Sequence, residues 1–234
     1  MPFSPKLERA LTALRNGDFI LIYDAKGREE ETDFIVAAEH VTPDHVYRMR
    51  HDGGGLVFMM LHHDIAAKLG LPFLAEVFAQ AADRWPALAR LAPDDIPYDT
   101  KSSFSLPVNH RETFTGITDT DRALTIREMA RLAHDVADMS KEEAQQVFGE
   151  RYRAPGHVAV CRAANGLLRE RRGHTELSVA LADMADVTPV MAGCEMMDHG
   201  TALSRRDAMD YADEHDLVFL EGEDIVEAWT QWSG

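Results

Sequence analysis

The sequence predicts an α/β fold, a single layered domain of sheet and helices over residues 1–234, on three observations. Short apolar runs of strand length alternate with helical stretches along the whole chain. No linker rich in Gly, Ser or Pro divides it, and no internal repeat is visible. The composition, 45% apolar and 27% charged over 234 residues, suffices for one large core.

Ser4-Pro5 starts a helix with Leu7, Ala10, Leu11 and Leu14 on its apolar stripe, and Gly17 stops it. Phe19–Tyr23 and Phe34–Ala38 are apolar runs that read as strands, separated by an acidic loop. Thr42-Pro43-Asp44 opens a helix through Met49, ended by Gly53-Gly54-Gly55. Leu56–Leu61 reads as a third strand and His63–Leu69 as a short helix. The stretch 70–100, with Pro72, Pro86, Pro93 and Pro97, is the least regular and reads as an excursion over the surface. Phe104–Val108 is the next strand, with Pro107 pointing to an edge or an early end. Ile126–Val136 and Glu142–Phe148 read as helices and His157–Cys161 as a strand. Thr175–Met184 is a helix with Leu177, Ala180, Leu181 and Met184 facing the core. Val190–Cys194 is a strand, Arg205–Ala212 a helix, Leu217–Leu220 a strand and Asp224–Trp229 a last helix.

Twenty-four basic against 40 acidic side chains give a net charge of −16, which argues against nucleic acid or anionic lipid as the main partner. No apolar run reaches the roughly 18 residues of a membrane span. Met1–Arg9 has no apolar signal core. The two cysteines, Cys161 and Cys194, form no disulfide framework. The expectation is a cytoplasmic protein with reduced thiols. The 11 histidines show no His-x-x-x-His spacing, and the Gly53–Gly55 run fits neither nucleotide-binding glycine loop.

Four carboxylates and one guanidinium crowd into residues 27–33, Gly-Arg-Glu-Glu-Glu-Thr-Asp, just before an apolar strand. Glu29, Glu31 and Asp33 fall at period two, so an extended backbone would point them to one side. Carboxylates that close favour a cation among them, a metal ion or an Arg cluster; the other reading is a solvated acidic turn. Arg171, Arg172, Gly173, His174 and Thr175 sit at a helix start. With its free N–H groups that start is either a phosphate cradle or a basic cluster capped by Thr175. His157 enters a strand, where it acts as an acid or base or is structural. Glu195 ends the apolar strand 189–194, where burial tunes a carboxylate for proton transfer, unless it simply emerges into solvent. The hydroxyl-rich turn Thr113–Arg122 binds a sugar or phosphate, or caps the helix that follows.

Taken together and in this order, these stretches resemble the 3,4-dihydroxy-2-butanone 4-phosphate synthase family. The landmarks are GREEETDFIVAAE at 27–39, GGGLV at 53–57, TGITDTDRALTI at 115–126, APGHV at 154–158, RRGHTE at 171–176 and the Glu195 segment. Glu30 and Thr32 stand where bacterial members commonly carry Asn and Gly, the archaeal form of the motif, and the chain resembles a monofunctional member. The resemblance implies a mixed sheet flanked by helices and a homodimer. It implies conversion of ribulose 5-phosphate to 3,4-dihydroxy-2-butanone 4-phosphate and formate in riboflavin biosynthesis, a lyase reaction. It implies Mg²⁺, or Mn²⁺, two divalent ions per subunit, with Glu29 and His174 as metal ligands. Substrate contacts fall on Arg28, Glu29, Asp33, Arg171, Gly173, His174, Thr175 and Glu195. His157 and Glu195 are the essential residues outside the metal ligands, and Asp33 is a further candidate base. Phe58 stands where some members have a Cys, so no thiol role carries over.

Two rival readings remain at this stage. One is another metal-dependent sugar-phosphate isomerase or aldolase, sharing the enediol step without formate loss. The other is a non-catalytic sugar-phosphate-binding regulator, which would have no need of a base.

Overall fold

A computed structural model describes residues 3–99 and 101–234. Met1 and Pro2, at the head of the segment read as lacking a signal core, and Thr100, the last residue of the irregular stretch, lie outside them. The strands are β1 (Ile20–Tyr23), β2 (Thr32–Ala37), β3 (Phe58–Leu61), β4 (Val108–His110), β5 (Tyr152–Arg162), β6 (Val190–Glu195) and β7 (Val218–Glu221). They form one seven-stranded sheet in the order β4-β5-β3-β6-β2-β1-β7. The sheet is mixed: β1 pairs with β7 and β3 with β5 in parallel, while β2 runs antiparallel to both β1 and β6.

The central strands are buried on both faces, which is why they read as unbroken apolar runs. Leu21, Phe34, Val36, Met59 and Ala192 point to one side. There they meet α2 (Pro43–Arg48), α6 (Asp119–Asp135) and α9 (Arg205–Glu214). Ile20, Ile22, Ile35, Met60 and Met191 point to the other. There they meet α1 (Pro5–Asn16), α8 (His174–Ala185) and α10 (Gly222–Trp232). The result is a three-layer sandwich, and each fully buried aliphatic side chain in it contributes about 1.5–3 kcal/mol. The α1 signals act as the sequence implies. Ser4 Oγ accepts from Leu7 N, Gly17 takes φ +81°, and Leu7, Ala10, Leu11 and Leu14 are the buried positions.

Several boundaries move. The stretch read as irregular contains α4 (Leu74–Ala81) and α5 (Pro86–Ala89), after α3 (His63–Lys68). The strand expected at Phe104–Val108 begins only at Val108, and Phe104 makes an isolated bridge to Cys161. Pro107, with no N–H to offer a ladder, separates the two. The helix expected from Ile126 starts at Asp119, where the Thr118 hydroxyl accepts from Asp121 N. β5 runs from Tyr152, well before His157, and follows directly on α7 (Lys141–Arg151). No helix among the described residues is long and apolar enough to cross a membrane.

Candidate active site

The acidic cluster is built by strand alternation. Asp33 and Glu195 are cross-strand partners in the β2–β6 ladder, and they continue the rows Ile35–Ala37 and Met191–Gly193 on the α8 side. Two apolar rows thus end in a pair of facing carboxylates beside the first turn of α8. Glu195 reaches this position because of the glycine run. A Cβ on Gly55 would lie 2.8 Å from the Glu195 Cβ and closer still to its carboxylate. The Glu195 carboxylate also accepts from Leu56 N at 2.7 Å.

The acidic loop is not extended as the period-two reading supposed. Gly27 and Glu30 take φ +83° and +57°, which turns the chain at 27–30. The buried Asp24 carboxylate organises the turn by accepting from Glu29 N (3.0 Å) and Glu31 N (3.2 Å). Glu29, Glu31 and Asp33 nevertheless line the same cavity, of about 300 Å³, together with Phe58, Arg171, His174, Thr175 and Glu195.

His174 is fixed by two partners. Its Nε2 lies 3.1 Å from the Ile22 carbonyl, which only accepts, so Nε2 carries a proton. Nδ1 faces Glu29 Oε2 at 3.3 Å and Asp33 Oδ2 at 3.6 Å. Burial opposes the imidazolium. The Asp33 charge and the Glu29 hydrogen bond outweigh it and push the ring up to about 10. Burial acts on Glu29 too, but the hydrogen bond with His174 holds its carboxyl below the ordinary range. Asp33 is pushed well above it, by burial first and by Glu195 and Glu29 against the relief from His174. Burial raises Glu195 as well.

The donor set suits a hard divalent cation. One oxygen or nitrogen from each of Asp24, Glu29 and His174 lies within 4.8 Å of the others. The Asp33 Oδ1 atom is buried with no hydrogen-bond partner among the described residues. An orphaned carboxylate oxygen beside an imidazole and further carboxylates is the donor chemistry that a hard divalent cation such as Mg²⁺ takes. Asp24 is already committed to the loop amides, which leaves Glu29 and the buried His174 Nδ1 as the donors, the latter once a cation displaces its proton.

The second half of the site is basic. Arg171 donates to Glu176 at 2.6 Å through Nη1 and to Asp99 at 2.7 Å through Nε. Glu176 is fully buried and also accepts from Ala164 N. Gly173 leaves room for this arrangement, since a Cβ there would lie 2.7 Å from Arg171 Cζ. Thr175 stands in the first turn of α8, and Arg28 joins the cluster through Asp99, at 2.6 Å.

The family model described as 3,4-dihydroxy-2-butanone 4-phosphate synthase matches residues 8–228. The chain belongs to that family. The synthase of Methanothermobacter thermautotrophicus is 48% identical over 228 residues, covering 97% of this chain and 96% of the relative. That of Archaeoglobus fulgidus is 49% identical over 228 residues, covering 96% and 94%. Among solved structures, a synthase in complex with two magnesium ions is 25% identical, with a TM-score of 0.74 over 97% of this chain and 98% of the other. The fold gathers Glu29, Asp33, Arg171, His174, Thr175 and Glu195 around one cavity; Arg28 and Gly173 are not among its lining residues but adjoin ones that are, Glu29 and Asp99 for Arg28 and Arg171 for Gly173.

His157 is placed otherwise. It is exposed on β5, held to Asn109 by a bond from its N–H (2.8 Å) and by a ring contact (3.1 Å), and it is not among the residues lining this cavity. The sequence reading missed Tyr98 and Asp99, which line the cavity from the segment read as a surface excursion, and Ser102 and Ser103, which line it from just beyond that segment. It also missed Glu176, although the motif RRGHTE contains it. A Glu two residues after the helix-opening His, on a helix otherwise apolar at its core positions, is the signal that could have found it.

Proposed function

We propose that the chain converts D-ribulose 5-phosphate to 3,4-dihydroxy-2-butanone 4-phosphate and formate, as a cytoplasmic lyase of riboflavin biosynthesis. The observation that carries the reading is the cross-strand pair of buried Asp33 and half-buried Glu195, carboxylates of raised proton affinity beside the Glu29–His174 pair. Glu29 and His174 are the direct ligands of Mg²⁺, two ions per subunit, with Mn²⁺ an acceptable substitute for these oxygen and nitrogen donors. Bound there, the cation supplies Lewis-acid polarisation of the ketose carbonyl.

The chain's own groups do the rest. Glu195 is the base that takes the carbon-bound proton of the ketose. Asp33, its cross-strand neighbour, receives or returns a proton in the later rearrangement. Arg171, Thr175 and the N-terminal amides of α8 anchor the phosphate, with Arg28 contributing charge. Gly173 gives the guanidinium its room. His157, exposed on its own protomer, serves in a homodimer by facing the cavity of the second subunit, where it relays a proton.

Incubating the protein with ribulose 5-phosphate, with and without EDTA, and measuring formate tests the reading. Formate released only with the divalent ion supports it. Isomerised or cleaved sugar without formate points to an isomerase or aldolase, and binding without turnover points to a regulator; either result ends the proposal.

A further inference from the structure

One oxygen of Asp99, Oδ2, accepts from both Arg28 Nη2 (2.6 Å) and Arg171 Nε (2.7 Å). Asp99 thus occupies ground between the two guanidinium groups, where Glu29 Oε1 also lies, 3.3 Å from Arg28 Nη1 and 3.9 Å from Arg171 Nη2. A phosphate carries more charge and more acceptor oxygens, and satisfies such a fork better than one carboxylate oxygen does. A second cavity, of about 260 Å³, shares Asp99 and Arg171 with the first and has His63, Phe73 and Arg162 in its walls. Arg162 donates to the Leu71 carbonyl through Nη1 (2.9 Å), and its Nη2 lies 3.3 Å from His63 Nδ1. Its Nε is buried with no hydrogen-bond partner among the described residues. The Asp99 side chain therefore borders two cationic sites, one that it fills and one with a donor to spare.

Building on the phosphate placement above, we propose that Asp99 is a displaceable stand-in for the substrate phosphate, which swings to Arg162 when a phosphate takes Arg28 and Arg171. The device sets specificity. A sugar without a phosphate has nothing that outcompetes a carboxylate for two arginines, so the cavity stays neutralised and closed to it. It also means that every phosphorylated ligand binds more weakly than the two arginines alone would allow, because two charge-assisted bonds break first.

The test is calorimetric titration of inorganic phosphate into the full chain in EDTA at fixed ionic strength. Asp99→Asn should bind phosphate about 5–10-fold more tightly than the wild type, since it competes less for the guanidinium groups. Arg162→Gln should weaken phosphate binding in the wild-type background and have no effect in the Asp99→Asn background. Unchanged or weaker binding by Asp99→Asn overturns the proposal, because it makes Asp99 a support for the arginines. So does an Arg162→Gln effect that persists without Asp99. If Asp99→Asn folds poorly, Asp99→Ser is read in the same way. Arg171→Ala with unaltered phosphate affinity is a separate failure: it removes the phosphate placement itself.

Discussion

The turns at 24–33 and 113–122 both set carboxylates beside Thr, Gly and Arg, and they reach opposite electrostatic states. In the second, Asp121 accepts from Phe114 N, Thr115 N and Gly116 N, and its carboxyl lies below the ordinary range, through the Gly116 amide above all. Asp119 beside it is paired with Arg50 and Arg122. Each acceptor has a donor. In the first, Asp24 accepts from Glu29 N and Glu31 N, Glu30 accepts from Gly27 N, and Glu29 is partnered by Arg28 and His174, while Glu31 and Asp33 are turned with Glu29 into one cavity. Glu31 and Asp33 are pushed up, by burial first. A turn of satisfied carboxylates supports the fold. A turn that leaves a buried carboxylate oxygen, Asp33 Oδ1, without a donor among the described residues carries a cost that a bound cation or proton relieves.

Exchanging one residue in each turn sharpens the contrast. Asp33→Asn should lower formate production by about 10²–10⁴-fold, while its melting temperature in EDTA stays level or rises, because a buried charge among like charges is gone. A large fall in melting temperature would make Asp33 structural. Glu195→Gln should cost at least about 10²-fold in kcat with substrate binding retained. Following substrate protons into D₂O by NMR locates its step: exchange surviving without formate moves Glu195 to the later rearrangement and leaves Asp33 as first base. Arg171→Ala should raise KM roughly 10–100-fold, the loss of about 1.5–3 kcal/mol of charge-assisted contact. An unchanged KM would assign Arg171 to the buried Glu176 alone.

The braced turn should respond in the opposite sense. Asp121→Ala should lose about 2–3 kcal/mol of stability, read by urea denaturation, while kcat holds. Its pH dependence follows from the sign of the shift. A carboxyl held lower in the fold than in the unfolded chain stabilises above its unfolded value. That stability is lost as pH falls through its folded value. The wild type should therefore lose more stability than Asp121→Ala below about pH 4. Parallel curves would show that Asp121 contributes nothing by its charge.

Much of this was legible in the residues. The α1 caps and the buried runs follow from signals carried within a few positions of each, whereas the gathering of Glu29, Asp33, His174 and Glu195 was an expectation from the family motifs. What escaped depends on contacts distant in sequence. Asp99 shows no local pattern, and its role appears only when Arg28 and Arg171 are brought to it. Gly55 reads as a helix stop, yet Glu195, far along the chain, needs its missing side chain. His157 reads as a site residue by motif, while β5 carries it away from its own cavity. Sheet order, set by tertiary pairing, was not readable at all.

The parallel pairing of β1 with β7 joins segments almost the whole chain apart. On a ribosome adding 5–20 residues per second, roughly 10–40 s separate the two strands. The β1–β2 hairpin can form early, but through that interval the outer edge of Ile20–Tyr23 has no neighbour, and an apolar strand with a bare edge is a template for association with other chains. Closing so distant a pair is also the slow step expected of a non-local topology. The yield of properly folded protein should therefore depend on translation speed and temperature, with nascent chains shorter than residue 218 the ones that aggregate.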